Sequence, residues 1–167
     1  LRMQEIPCKE FICNSRGVNL RKNFPTQYYR RKQIHSQPAS ENETKALIKV
    51  FQENTGRGLL SFGYSERQIV YFRQSQSFAA NQKSYRLARH LQKQAGLNED
   101  KAKYHLDDVE PTGKRGYGSP EQFYAEICRQ PAFRIEIPRR SGENEMVPDP
   151  AEYEEIHTLP LEYLFSL

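Results

Sequence analysis

Four consecutive apolar residues, Ile69 to Phe72, constrain the fold of this chain more than any other feature. Successive side chains of a strand point to opposite faces, so a strand through these residues has two apolar faces. Such a strand is typical of the centre of a sheet that is covered on both sides. We predict that residues 67–73 form a buried central strand and pair as a hairpin with residues 58–63.

Local patterns predict a further strand and several helices. Phe133, Ile135 and Ile137 alternate with polar residues, which is typical of a half-buried strand. Capping residues and apolar stripes at helical spacing mark the helices. The predicted helices begin at Ser40, run from near Phe78 to Ala95, run from Glu99 to Leu106, and run from Ser119 to near Arg129.

These elements predict an α+β fold in a single compact domain, with a small mixed or antiparallel sheet packed by three to four helices. A chain of 167 residues is of the size that usually forms one domain. We divide it into a basic α+β domain, residues 1–140, and an acidic and apolar C-terminal segment, residues 141–167. The apolar end of that segment predicts that it docks on the body or on a partner.

The charge of the chain is divided at Ser141. Residues 141–167 carry seven acidic residues and no Lys or Arg, whereas residues 1–140 hold all 25 Lys and Arg against 14 Asp and Glu. The body therefore has a formal charge of +11 and the tail −7, which sum to the net +4 of the chain. A basic body favours polyanionic partners, and an acidic end can cover that surface or recruit something else.

Several classes of protein are disfavoured. No window is apolar enough to span a membrane, and the first residues do not resemble a signal peptide. The three cysteines show no CxxC spacing, so we expect reduced thiols in a cytoplasmic protein rather than a disulfide framework or a zinc site. No motif fixes a reaction, and we expect no cofactor and no catalytic residue.

The leading hypothesis is a nucleic-acid-binding module, or a non-catalytic subunit of a nucleic-acid-processing complex. Clustered cations neutralise phosphates, and tyrosines can stack on bases. The sequence does not distinguish DNA from RNA, and each cluster can also be an ordinary solvated surface. The predicted binding residues are Arg21, Lys22, Tyr28, Tyr29, Arg30, Arg31, Lys32, Lys83, Arg86, Arg89, Lys93, Lys114 and Arg115.

Two alternatives belong to other classes of protein. In the first, the chain is an interaction subunit that docks a protein partner through residues 150–167, whose acidic and apolar side chains complement a basic surface. In the second, the chain is a metal-dependent nuclease in which Asp107, Asp108 and Glu110 bind Mg²⁺. A solvated acidic loop is the simpler interpretation of those three carboxylates.

Overall fold

The structure, a computed structural model, describes residues 13–26, 37–95, 104–111 and 118–138. The C-terminal segment 141–167, and with it the predicted docking element, lies outside the described residues. The predicted domain boundary at residue 140 therefore stays a prediction.

A four-stranded mixed sheet forms the centre of the described part of the chain. In the order β1-β4-β2-β3, the outer pairs β1/β4 and β2/β3 are parallel and the central pair β4/β2 is antiparallel. The predicted hairpin of residues 58–63 with 67–73 is therefore wrong, because β4 lies between its two strands. The strands are β1 (Leu59–Ser65), β2 (Gln68–Phe72), β3 (His105–Val109) and β4 (Ala132–Pro138).

Three helices accompany the sheet within the described ranges. Helix α1 spans Asn42–Glu53 and α2 spans Phe78–Ala95, while α3 spans Pro120–Phe123 and continues into a π-helical turn at Tyr124–Cys128. The predicted helices at 78–95 and at 119–129 are confirmed. Arg129, in the left-handed region at φ 55°, ends the latter, where Pro131 follows.

The sheet is covered on both faces, as the apolar run at Ile69 to Phe72 predicts. One face packs on α2, whose Leu87, Ala88 and Leu91 contact the alternate residues of β4. On the other face, Val70 and Phe72 pack with Tyr124 of the π-helical turn and Phe51 of α1. Burial of these two apolar layers is the main source of stability expected for the domain.

Three local predictions are corrected by the structure. Residues 105–106 lie in strand β3 instead of a helix from Glu99 to Leu106, because they pair in parallel with β2. Helix α1 begins at Asn42 without a side-chain cap, since the Ser40 hydroxyl donates to the Glu41 carboxylate instead of capping the helix. Strand β4 is covered on both faces rather than on one, because it is a central strand, but its polar residues Arg134 and Glu136 stay only partly buried. The coarser prediction of a small domain with a mixed sheet and three helices is confirmed.

Candidate functional site

A cluster of polar side chains lies on the sheet face that α1 and α3 cover. Strand alternation sends Arg134 and Glu136 of β4 to this face, opposite the apolar residues Phe133 and Ile135. The parallel register with β1 sets Ser61 beside Arg134 and Gly63 beside Glu136. The cluster thus lies along the middle of two neighbouring parallel strands, β1 and β4.

Glu121 is the buried anion of the cluster. Its side chain is 2% exposed, and its Oε1 accepts hydrogen bonds from Arg134 Nε at 2.9 Å and Arg134 Nη2 at 2.7 Å. The Ser61 hydroxyl donates to the same oxygen at 2.5 Å. Glu121 lies in the first turn of α3, which the Ser119 hydroxyl begins by accepting from the Gln122 amide at 3.1 Å. The charge-assisted hydrogen bonds from Arg134 offset the free-energy cost of removing this carboxylate from water.

Glu136 lies directly over the backbone of Gly63. A Cβ on Gly63 would lie 2.3 to 2.7 Å from the three carboxyl atoms of Glu136, so this glycine makes room for the carboxylate. Glu136 is 12% exposed, and its Oε1 lies 3.6 Å from Arg134 Nη1. Arg134 therefore lies between two carboxylates, and its guanidinium carbon is 5.9 Å from the centre of the Phe72 ring.

Lys22 supplies a second cation near this cluster. It ends a 3-10 turn at Leu20–Lys22 that Asn19 caps by accepting from the Arg21 amide. The turn packs closely on Gly118, where a Cβ would lie 2.4 Å from the Lys22 carbonyl oxygen. Burial and then repulsion from Arg134 lower the pKa of Lys22, while the Glu121 carboxylate opposes that shift. The side chain is thus in electrostatic reach of both partners of the buried ion pair.

A buried hydrogen-bond network anchors the segment that carries Lys22. The Asn23 side chain donates to the Gln37 carbonyl and to the Ser40 hydroxyl, and its oxygen accepts from the Glu41 amide. Asn14 donates to the Glu41 carboxylate at 2.6 Å, so residues before and after this segment are joined. Hydrogen bonds first from Ser40 and then from Asn14 lower the pKa of Glu41.

The predicted nucleic-acid-binding residues do not meet on one surface within the described ranges. Arg21 is exposed, and Lys22 lies by the cluster on the α1 and α3 side of the sheet. The cations of α2 are exposed on the opposite side, because α2 packs on the other sheet face. These α2 residues are Lys83, Arg86, Arg89 and Lys93, whereas Tyr28, Tyr29, Arg30, Arg31, Lys32, Lys114 and Arg115 lie outside the described residues.

The three carboxylates considered for Mg²⁺ are not brought together. Asp107 lies on the sheet face of Val109 and accepts from the Gln68 side chain at 2.9 Å. Asp108 faces the other way, and it shares Arg73 Nη1 with Glu110 at 3.3 and 3.2 Å. In the part of the chain that the structure describes, no group of three His, Cys, Asp or Glu residues is arranged to hold a metal ion.

The members of the cluster other than Lys22 were missed by sequence reasoning. The sequence shows Arg134 and Glu136 only as the polar residues that alternate along a half-buried strand, and Glu121 only as part of the helix start at Ser119. A signal was present in the Arg-x-Glu spacing on β4, because residues two apart on a strand share a face. Nothing in the local sequence indicates that Ser61 and Glu121 lie next to Arg134, since they are 73 and 13 residues away.

The fold resembles that of solved carboxypeptidase structures. Carboxypeptidase A from Helicoverpa armigera matches with a TM-score of 0.66 and 12% identity, over 90% of this chain and 42% of that chain. Bovine thrombin-activatable fibrinolysis inhibitor, in complex with tick carboxypeptidase inhibitor, matches with a TM-score of 0.65 and 17% identity over 90% of this chain and 54% of that chain. Another structure of thrombin-activatable fibrinolysis inhibitor matches with a TM-score of 0.59 and 18% identity, over 89% of this chain and 37% of that chain. The chain thus spans about half or less of the length of these proteins.

At such low identity the likeness shows a carboxypeptidase-like fold alone. No protein-family model matches the chain, and a search of curated proteins gives no match. The prediction of a nucleic-acid-binding module is wrong, because the fold is of the kind seen in these hydrolases and the described basic residues are divided between two faces. Among the described residues, no helix has the length and apolar character needed to cross a membrane.

Proposed function

We propose that this chain is part of a carboxypeptidase-like domain that binds the carboxylate end of a peptide at the face formed by Lys22, Arg134 and Glu136. The observation that carries the proposal is the position of Lys22, a partly buried cation in electrostatic reach of the Arg134–Glu121 pair, within a fold that resembles those of carboxypeptidases. A carboxypeptidase acts at the carboxyl end of a peptide, so the ligand that we expect for a cation at this place is the terminal carboxylate of a peptide.

The electrostatics of the cluster favour an added anion at Lys22. Burial and the nearby guanidinium disfavour the charged ammonium, which lowers the pKa of Lys22. A peptide carboxylate that binds there relieves that penalty through a charge-assisted hydrogen bond. Peptide binding should therefore raise the pKa of Lys22.

Binding, and not cleavage, is the function that the described residues support. Catalytic zinc in carboxypeptidase A is held by two histidines and one glutamate. The described residues of this chain offer no group of three such ligands, so they do not fit a metal of this kind. We derive no metal-dependent step.

Matched peptides with a free or an amidated carboxyl end test the proposal. We expect fluorescence anisotropy to show that the amide binds at least about tenfold more weakly, since it lacks the charge that Lys22 recognises. Lys22→Ala should bring the free-acid peptide to the affinity of the amide, and Lys22→Arg should retain most of the difference.

Arg21→Ala is the matched control, because Arg21 is an exposed neighbour of Lys22 on the same turn. If both peptide forms bind equally to the unaltered chain, or if Arg21→Ala has the same effect as Lys22→Ala, the carboxylate is not recognised at Lys22 and the proposal is wrong.

A further inference from the structure

Glu121 is an unusual buried carboxylate, because its hydrogen bonds fall on one oxygen. Oε1 receives the Ser61 hydroxyl and two N–H groups of Arg134, whereas Oε2 is buried and has no partner among the described residues. A buried carboxylate normally has partners on both oxygens. The second oxygen of this carboxylate can therefore accept a further hydrogen bond.

Arg134 donates to only one of the two carboxylate oxygens of Glu121. An arginine and a carboxylate usually meet fork to fork, with two parallel N–H···O bonds to two oxygens. Here both donors of Arg134 converge on Oε1, and the remaining Nη1 is 3.6 Å from Glu136. Arg134 thus has a second carboxylate within reach if it leaves the first.

The surroundings of the guanidinium match the chemistry of a cation-binding pocket. The Phe72 ring lies 5.9 Å from the guanidinium carbon, and aromatic faces attract cations at this range. A buried carboxylate, a serine hydroxyl and an aromatic face together favour a flat cation with several N–H donors over a compact ammonium.

We propose that the pocket formed by Glu121, Ser61 and Phe72 is a binding site for a guanidinium group, and that Arg134 is its internal occupant. A ligand with an arginine-like side chain competes with Arg134, which turns to Glu136 when displaced. This site shares Arg134 and Glu136 with the proposed peptide-binding face, but its test follows agmatine binding directly and does not depend on whether peptides bind at Lys22.

Arg134→Ala should open the pocket to agmatine, a small guanidinium compound. Isothermal titration calorimetry of the full chain should detect agmatine binding to this variant at millimolar concentrations. The unaltered chain should bind it at least about tenfold more weakly, because the tethered guanidinium acts at high effective concentration. Arg134→Ala combined with Glu121→Gln is the matched control, and it should lose the binding because the pocket has no charge.

The neutral urea analogue of agmatine, which has nearly the same shape, should not bind any of these variants. Equal binding of agmatine and its urea analogue, or equal binding to the single and double variants, would overturn the proposal. If Arg134→Ala does not fold alone, it should refold in agmatine and not in the urea analogue, as followed by circular dichroism. Failure to refold in both would also overturn it.

Discussion

Removing either partner of the Arg134–Glu121 pair should destabilise the domain far more than removing both. Glu121 is 2% exposed and Arg134 is 17% exposed, so the carboxylate has almost no contact with water and the guanidinium has little. Glu121→Gln keeps the shape and the bond from Ser61 but leaves the guanidinium beside a neutral amide, with Glu136 at 3.6 Å as its remaining carboxylate. Breaking a buried pair in this way costs about 3–5 kcal/mol.

The loss of stability caused by Arg134→Met should lie at the lower end of that range. It leaves the Glu121 carboxylate buried, but Lys22 remains in electrostatic reach, and loss of Arg134 removes the repulsion that helps to lower the pKa of Lys22. The double variant carries no uncompensated charge at this pair, so it should lose less stability than either single variant. The coupling free energy of the cycle should therefore be about 3 kcal/mol or more.

Urea unfolding followed by circular dichroism and tyrosine fluorescence measures this cycle, since the chain has no tryptophan. A loss of 3–5 kcal/mol corresponds to a fall in Tm of roughly 6–20 °C for a chain of this size. Single variants within about 1 kcal/mol of the unaltered chain, or costs that simply add, would refute the conclusion that the pair is buried and mutually dependent.

Three further predictions concern other parts of the described chain. Gly118→Ala should destabilise the domain by about 2–5 kcal/mol, because its φ is +67° and its new Cβ would meet the Lys22 backbone. The Glu41 pKa is lower in the folded chain than its unfolded value near 4.3, so the stability it contributes is present above that pH and is lost as the pH falls through the folded value. Unfolding by urea between about pH 5 and pH 3 should show this loss, and Glu41→Gln should flatten it. Burial raises the pKa of Cys128, so a variant that keeps only this cysteine should react with a thiol reagent at pH 8 more slowly than a small free thiol does.

Each of these predictions has a control or a contrary outcome. Gly17 also has a positive φ, +77°, but an added Cβ there meets nothing within 4 Å, so Gly17→Ala should cost only about 1–2 kcal/mol of strain. Equal costs at Gly17 and Gly118 would show that the contact with Lys22 is unimportant. If the stability of Glu41→Gln depends on pH as that of the unaltered chain does, the Glu41 prediction is contradicted. If Cys128 reacts as fast as a small free thiol, the Cys128 prediction is contradicted.

Local sequence signals located α2 and α3 well. The Ser119 hydroxyl caps α3 where Ser119-Pro120 predicts a start, and α2 covers the predicted 78–95, because these features act between residues three or four apart. The central position of β2 was also predictable, since four apolar residues in an extended strand need cover on both faces.

Strand pairing was not predictable in this way. Residues 58–63 and 67–73 are close in sequence and were expected to pair. In the structure β4 lies between them, although it begins 60 residues after the end of β2. A short turn between β1 and β2 permits a hairpin but does not require one. The pairing depends on which strand best buries both faces of β2, and that is a property of the whole sheet.

The candidate site follows the same division. The sequence by itself determined that Arg134 and Glu136 share one face of a strand, that Glu121 begins a helix, and that the chain is rich in cations. Only the tertiary structure decided that Arg134 lies between Glu121 and Glu136 with Gly63 making room, and that the α2 cations lie on the far side of the sheet. The physical reason is that periodicity acts within one element, whereas charge pairing and burial depend on the packing of elements that are distant in the chain.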